Sequence, residues 1–204
     1  MNAFAQTAIK APDVLSVRQE QILDAAEACF VRNGFHRSSM QDLAREARMS
    51  APNIYRYFDS KEAVLLGMAE RERRRGRERI EGFERVGDKR AALMSVIEHY
   101  HLTIPREAAI LRVELWSEAT RNPPIAAILQ ERETLGRAWM VGILSAIATS
   151  PNCDAEGLCD AIAAQLKGVV VSRAFLPDYD PTPAVAQLHA LIEAGLAGRI
   201  AEAP

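Results

Sequence analysis

The stretch that decides the fold is MQDLAREARMSAPNIYRYF, residues 40–58. Its first half places apolar residues at the spacing of a short helix, and residues 47–49 interrupt that pattern. Ser39 precedes the run and Asp42 follows three residues later, which is the Ser-x-x-Asp signal of a capped helix start. The stretch therefore predicts a short capped helix that ends in a tight turn.

A second helix is predicted immediately after the turn, over residues 51–58. Ser50 is a favourable N-cap, and Pro52 falls in the first helical turn, where its missing N–H costs little. Ile54 and Phe58 are four residues apart and share the buried side. The side chains that remain for the outer face and its flanks are Pro52, Asn53, Tyr55 and Arg56. The two helices form a helix-turn-helix whose second helix presents a polar and aromatic surface.

An amphipathic helix is predicted before this pair, over residues 21–32. Its apolar face consists of Ile22, Ala25, Ala26, Cys29 and Phe30. Asn33-Gly34 ends it as a C-cap would. Three helices therefore precede Ser60, which is the predicted cap of a fourth helix.

These residues closely resemble the N-terminal DNA-binding domain of TetR-type transcriptional regulators. The matching string is Gly34-Phe35, Ser38-Ser39, Asp42-Leu43-Ala44, Ser50, Ile54-Tyr55, Tyr57-Phe58 and Ser60-Lys61-Glu62. The resemblance covers residues 17–68, about a quarter of the chain. Pro52 stands where many members carry Gly, although a Pro-x-apolar-Tyr variant also occurs in the family. The resemblance implies a homodimeric repressor that places two recognition helices in successive major grooves of an inverted-repeat operator in double-stranded DNA.

The resemblance also implies roles for individual residues. Those expected to hold phosphates and fix the register are Ser39, Tyr55, Tyr57 and Lys61. Those expected to face bases are Gln41, Ala51, Pro52, Asn53 and Arg56. Tyr57 has an alternative place beside Ile54 on the helical wheel.

Composition limits the class of protein. The chain has 204 residues, of which 49% are hydrophobic, so it can bury a substantial core. Residues 1–16 lack a secretory hydrophobic segment and are expected to form a flexible tail. The longest apolar run, residues 138–148, is too short to span a membrane. Three cysteines without metal-ligand spacing are typical of a reduced cytosol, so a cytoplasmic protein is expected.

Charge is distributed unevenly along the chain. The net charge is only −2. Residues 1–90 hold 17 Lys/Arg against 14 Asp/Glu, whereas residues 91–204 hold 8 against 13. The positive half contains the helix-turn-helix, as expected for a DNA-binding region.

The rest of the chain reads as helices only. No segment alternates with period two, and breaks at prolines and glycines separate helices predicted over residues 88–104, 106–120, 125–149, 156–175 and 182–200. The fold class predicted is all-α with about nine helices. We expect a DNA-binding domain at residues 17–60 and a ligand-binding and dimerisation bundle at residues 61–204. The charged run at residues 70–79 alternates in sign, which favours a solvated face over a phosphate-binding patch.

The last two helices are apolar on nearly every side, so each must be covered from more than one direction. A second copy of the chain would provide that cover, as the resemblance also implies. The predicted interface residues are Leu166, Val170, Leu188 and Ile192. Burial within a single subunit is the alternative.

Arg112 is the candidate ligand-binding residue in the bundle because the helical wheel places it within an apolar arc. Trp116 lies one turn further along, and Tyr100 and Trp139 are the aromatic residues expected beside it. These residues predict a pocket for an apolar small molecule with an acidic or hydrogen-bond-accepting group. The alternatives are an ion pair between Arg112 and an acid of another helix, or an arginine stem with its head in water.

Catalytic and metal sites find no support in the sequence. There is no Gly-rich phosphate loop, no His-x-x-x-His pair and no Gly-x-Ser-x-Gly motif. His99 and His101 point to nearly opposite sides of a helix, and the acids Glu107, Glu114 and Glu118 are expected to be solvated. No enzyme activity, cofactor or metal is therefore predicted. Two alternatives stay open: a regulator controlled by a protein partner, and a helical interaction module without DNA affinity.

Overall fold

The computed structural model describes residues 17–85, 87–98 and 103–200, and within these ranges it contains nine α-helices and no strand. The helices are α1 (Val17–Asn33), α2 (Met40–Glu46), α3 (Ala51–Tyr55), α4 (Lys61–Glu84), α5 (Lys89–Glu98), α6 (Arg106–Ala119), α7 (Pro123–Ile147), α8 (Ala155–Phe175) and α9 (Thr182–Leu196). The all-α prediction is confirmed. The tail predicted at residues 1–16 lies outside the described residues. No described helix has both the length and the hydropathy needed to cross a membrane.

Several helix boundaries differ from the prediction, among them those of α3 and α7. Helix α3 ends at Tyr55 and not at residue 58, because the chain turns at Arg56 before Phe58 enters the core. The Phe58 amide still donates to the Ile54 carbonyl at 3.0 Å, so the helical turn is only loosened there. Helix α7 begins at Pro123, two residues early, because the Asn122 side chain accepts from the Ile125 amide and caps it.

A first core joins the helix-turn-helix to the rest of the molecule. Its fully buried centre comes from α1, α2, α3 and the first half of α4, with Ile22, Phe30, Leu43, Ile54 and Leu65 completely or almost completely inaccessible. Leu111, Leu115 and Ile125 of α6 and α7 belong to the same cluster. Packing is therefore continuous across residue 60, and the domain boundary there stays a prediction.

A second core lies within the bundle of α5, α7, α8 and α9. It contains Leu93, Ile97, Leu144, Ile162 and Leu188, which are at most 1% exposed. A small third cluster joins Ile104, Ala109 and Val170.

The predicted dimer-interface residues were wrong. Leu166, Val170, Leu188 and Ile192 are 7%, 0%, 0% and 2% exposed within one subunit. Three of them belong to the second core and Val170 to the third cluster. The other helices of the same subunit already cover these faces, so burial within the subunit, the alternative, holds for these four side chains.

Candidate DNA-reading surface and ligand cavity

The turn between α2 and α3 is held by backbone and side-chain hydrogen bonds. Arg48 adopts a left-handed conformation with φ +54°, which reverses the chain after α2. The Met49 amide donates to the Ala44 carbonyl at 2.9 Å. From α1, the Gln21 amide nitrogen Nε2 donates to the Ala47 carbonyl at 2.9 Å. The orientation of α3 is thus set by α1 as well as by α2.

The predicted capping box at the start of α2 is present. The Asp42 amide donates to Ser39 Oγ at 3.2 Å, and the Ser39 amide donates to Asp42 Oδ2 at 3.0 Å. The Ser39 hydroxyl and amide hydrogen bonds, together with Arg45, lower the pKa of the Asp42 carboxyl. Ser39 is exposed at the helix N-terminus, where backbone N–H groups favour an anion.

The predicted base-facing residues fall into two groups. Gln41, Pro52 and Arg56 are exposed, whereas Ala51 and Asn53 are half-buried. Of the tyrosines predicted to hold phosphates, Tyr55 is 48% exposed, while Tyr57 is half-buried and packs against the first core. The location of Tyr57 favours the alternative place, beside Ile54.

Lys61 has a contact that the sequence did not reveal. Its Nζ donates to the carbonyls of Phe35 and Ser38 at 2.8 and 2.9 Å, and to that of His36 at 3.3 Å. The ammonium also lies 4.5 Å from the centre of the Phe35 ring. An ammonium has three N–H donors, so the loop between α1 and α2 accepts all of them. Phosphate binding by Lys61 stays a prediction that requires one of these bonds to be exchanged.

Glu118 joins this loop to the bundle, contrary to the prediction of a solvated stripe of acids. It is 6% exposed, and its Oε1 lies 2.9 Å from His36 Nε2 and 3.3 Å from Arg121 Nε. The helix-turn-helix is therefore connected to α6 by a polar contact as well as by the first core.

Helix α4 presents arginines to both of its neighbours. On the side of α1, Arg71 is only 1% exposed. Its guanidinium lies 2.7 Å from Asp24 Oδ1, 2.8 Å from Glu27 Oε2 and 3.4 Å from Glu20 Oε2. Arg74 Nη2 adds a second contact to Glu20 at 2.6 Å. The expectation of a fully solvated face at residues 70–79 was wrong here, because the acids of α1 lie directly opposite.

A cavity of about 790 Å³ lies on the other side of α4. Its walls come from α4, α7 and α8, with Val96 of α5 and Trp116 of α6 completing them. The apolar part of the wall includes Ile80, Leu135, Trp139, Met140 and Leu166. Its size and lining are those of a small-molecule site.

Two of the four predicted ligand-binding residues line this cavity, Trp116 and Trp139. Arg112 is buried at 6% exposure and lies outside the described lining, so its role in ligand binding stays a prediction. Helix α6 is contacted by α1, α7 and α8, so its apolar arc is divided among several neighbours, which a helical wheel does not distinguish. Tyr100 lies outside the described residues.

Cations dominate the charged part of the lining. Its charged residues are Arg73, Arg77, Arg79, Arg132, Arg137 and Lys167, with the acids Glu133 and Asp160. The run at residues 70–79 supplies three of these arginines, and its dense positive charge was the signal that could have indicated them.

Two of these cations are paired across α7 and α8. Arg137 Nε lies 3.0 Å from Asp160 Oδ1, and Arg137 Nη2 lies 3.2 Å from Glu156 Oε2. Hydrogen bonding by Arg137 lowers the pKa of the Asp160 carboxyl, and both acids raise the pKa of Arg137. Lys167 pairs with Glu133.

Cys159 also lines the cavity, where burial and nearby acids raise the pKa of its thiol. A raised pKa leaves less thiolate, which is the reactive form. Among the described residues there is no group of three or more His, Cys, Asp or Glu placed to hold a metal ion.

Comparison with known proteins finds two matching family models in the chain. Residues 22–68 match the model for bacterial regulatory proteins of the tetR family, and residues 84–198 match the tetracyclin repressor-like C-terminal domain. The chain belongs to the TetR family of bacterial transcriptional regulators. Its helix-turn-helix is the DNA-binding element of that family, and the relatives found are regulators and not enzymes.

Among the relatives of this TetR-family protein is the HTH-type transcriptional regulator UidR of Escherichia coli strain K12. The two are 34% identical over 116 residues, which is 55% of this chain and 57% of UidR. The matched part thus spans little more than half of that relative's length.

Two solved structures share the fold. A transcriptional regulator from Rhodococcus sp. Rha1 has a TM-score of 0.77 at 19% identity, over 90% of this chain and 98% of that one. The regulator FadR from Bacillus subtilis, solved in complex with stearoyl-CoA, has a TM-score of 0.67 at 23% identity, over 88% and 98% of the two chains.

Proposed function

We propose that this TetR-family protein is a repressor that binds an inverted-repeat operator as a homodimer and is released by a small molecule. The observation that carries the proposal is the position of α4, which contacts α1 of the DNA-binding domain on one side and lines a large, mostly apolar cavity on the other. The stearoyl-CoA complex of FadR supports a ligand within this fold. A DNA-binding role implies that the protein works in the cytoplasm.

In the proposed complex, α3 enters the major groove. Gln41, Asn53 and Arg56 would hydrogen-bond to base edges, while Pro52 and Ala51 allow close approach. Ser39 and Tyr55 would contact phosphates, together with the N–H groups at the start of α2.

Homodimerisation is proposed through the outer face of α8 and α9. The exposed small and apolar residues of α8 recur at helical spacing: Ala161, Ala164, Gly168, Val171 and Phe175. Phe175 is 79% exposed and Val171 is 47% exposed, which is unusual for large apolar side chains at neighbouring positions of one helix. Ala186 and Ala190 continue this exposed strip of small residues on α9. A second copy of the chain would bury the strip, in agreement with the dimers of the family.

Release of DNA by a ligand requires the cavity and the DNA-reading surface to be coupled. A ligand that fits the cavity better when α4 is displaced would shift the population toward that arrangement. Because Arg71 and Arg74 hold α1 to α4, displacement of α4 would move α1 and the helix-turn-helix with it. The two recognition helices of the dimer would then no longer match successive grooves.

Selection from random duplex DNA, followed by fluorescence anisotropy with the selected site, tests DNA recognition. We expect an inverted repeat, and we expect Asn53→Ala or Arg56→Ala to lose about 1–3 kcal/mol of discrimination against substituted bases. Arg199→Ala, an exposed arginine beyond α9, is the matched control and should bind as the parent does. Failure to select any sequence would favour a helical interaction module.

Sedimentation velocity tests the dimer. Val171→Asp and Phe175→Asp should produce folded monomers, whereas Val17→Asp, at an 86% exposed position of α1, should leave the dimer intact. Ile192→Asp is unsuitable because its side chain is 2% exposed and the charge would disrupt the second core. A parent that sediments as a monomer at micromolar concentration would contradict the proposed assembly.

A further inference from the structure

The cavity side of α4 contains two arginines that share one carboxylate. Arg73 and Arg77 are one helical turn apart and both line the cavity. Arg73 Nη1 lies 3.2 Å from Glu131 Oε1, and Arg77 Nη2 lies 3.7 Å from the same oxygen. Glu131 belongs to α7, so this contact joins the two helices.

The contact between these two arginines and Glu131 can be replaced by a contact with another anion. Glu131 is 50% exposed and Arg77 55% exposed, so solvent can stabilise both when they separate. Arg73 is oriented separately by Glu70, whose Oε2 accepts from Arg73 Nε at 2.7 Å. Release of Glu131 would therefore leave the Arg73 Nη atoms in place for another anion.

The other residues of the cavity wall indicate what kind of molecule carries this anionic group. The cavity has room for a drug-sized molecule, and its apolar wall contains both tryptophans of the chain. Six of its charged lining residues are cations and two are acids. Arg137 and Lys167 face acids of α8 and α7, whereas Arg73 and Arg77 share the single carboxylate of Glu131.

We propose that the cavity binds an amphiphile whose anionic head pairs with Arg73 and Arg77 in place of Glu131, while its apolar tail lies against Trp116 and Trp139. The proposal rests on the proposed function, since it names the class of effector and the contact that the effector replaces. Glu131 acts as an internal competitor for the head group. The exchange removes one of the links between α4 and α7, while the contacts of α4 with α1 remain.

Tryptophan fluorescence provides a direct test, because the chain has two tryptophans and both line the cavity. The probes are decanoate and 1-decanol, which share an alkyl chain and differ in the charge of the head. We expect both to change the emission, and decanoate to bind about threefold to fivefold more tightly, as an added ion pair at a half-exposed site implies.

Two pairs of variants locate the head group. Glu131→Gln should tighten decanoate binding about threefold to fivefold by removing the competitor, and Arg77→Gln should weaken it by a similar factor. Neither should alter 1-decanol binding by more than about twofold. The matched controls are Glu78→Gln, which removes an acid from the opposite side of α4, and Arg75→Gln, whose side chain lies outside the described lining. Both controls should bind decanoate as the parent does.

The outcomes separate this inference from the proposed function. Equal affinity for the two probes, or an unchanged decanoate affinity in Glu131→Gln and Arg77→Gln, would overturn the anionic head site while leaving a ligand-responsive cavity. Absence of any fluorescence response would overturn the inference as well, and operator binding by the parent would then show whether the DNA-binding part of the proposed function stands.

Discussion

The two arginine-bearing sides of α4 differ in how permanently they hold their partners. Toward α1, Arg71 is buried and faces three carboxylates, from Glu20, Asp24 and Glu27. Toward α7, Arg73 and Arg77 are more exposed and share Glu131. Both sides consist of the same residue type within one helix, so burial and the number of acids make the difference.

That difference suggests how α4 can connect a change at the cavity to the DNA-binding domain. Breaking a buried ion pair leaves an unpaired charge and is strongly unfavourable, whereas an exposed pair contributes little. The α1 side should therefore move with α4 as a unit, and Arg73 and Arg77 should separate from Glu131 when another anion replaces that acid. The predictions below test each side in turn.

The largest effect on stability is expected from a substitution on the α1 side of α4. Arg71→Ala should lower the free energy of unfolding by about 3 kcal/mol, because it removes the charge-assisted hydrogen bonds of the buried guanidinium to Asp24 and Glu27. Arg73→Ala, on the exchangeable side, should lower it by less than about 1 kcal/mol. Urea unfolding at one fixed protein concentration measures both, and equal effects would remove the distinction between the two sides.

Lys61 provides a second example of a fixed cation. Lys61→Ala should lower stability by about 1.5–3 kcal/mol, since its ammonium bonds to three carbonyls of the α1–α2 loop. If those bonds persist on DNA, the salt dependence of operator binding should keep its slope. A slope reduced by about one would show instead that Lys61 neutralises a phosphate.

Close packing also stabilises the side of α4 that faces α1. A Cβ added at Gly67 of α4 would lie 2.8 Å from Phe58 Cε1 and 3.3 Å from Leu23 Cδ2. Gly67→Ala should therefore cost about 1–3 kcal/mol through overpacking. Gly82→Ala, where a Cβ meets no atom within 4 Å, should stabilise the helix by up to about 1 kcal/mol. Thermal unfolding of the pair checks this, and a neutral Gly67→Ala would show that Phe58 can move away freely.

The smallest effect concerns the exposed bridge between α7 and α8. Because Arg137 lowers the pKa of Asp160 in the folded state, the bridge contributes stability above the unfolded pKa, near pH 4. That contribution is lost as the pH falls through the lower folded pKa. The difference in Tm between the parent and Asp160→Asn should thus shrink below about pH 4. A difference that stays constant down to pH 2.5 would contradict the assignment.

Local signals made the helix-turn-helix predictable. The capping box of Ser39 and Asp42 and the turn at residues 47–49 each depend on a few consecutive residues. Ser50 occupies the N-cap position of α3, although its side chain makes no capping hydrogen bond. The structure accordingly places α2 and α3 close to where the pattern indicated, with only the end of α3 differing. The exposed residues that are candidates for base contacts were also predictable, because they lie within the same short stretch of sequence.

Contacts between distant helices were not predictable in the same way. From the sequence, Arg71 is one of many charges expected in solvent, and Leu188 is a candidate interface residue. The structure packs acids of α1 against Arg71 and buries Leu188 in the second core. A helical wheel shows which side of α6 is apolar but not which neighbouring helix packs at each angle. The cavity arginines were missed for the same reason.

Operator release by decanoate tests the coupling through α4 most directly. With the selected operator in an anisotropy assay, the parent should release DNA over the decanoate range that changes its tryptophan emission. Arg77→Gln should need about fivefold more decanoate, and Arg75→Gln should match the parent. If decanoate saturates the cavity by fluorescence while operator affinity is unchanged, α4 does not couple the cavity to the DNA-reading surface.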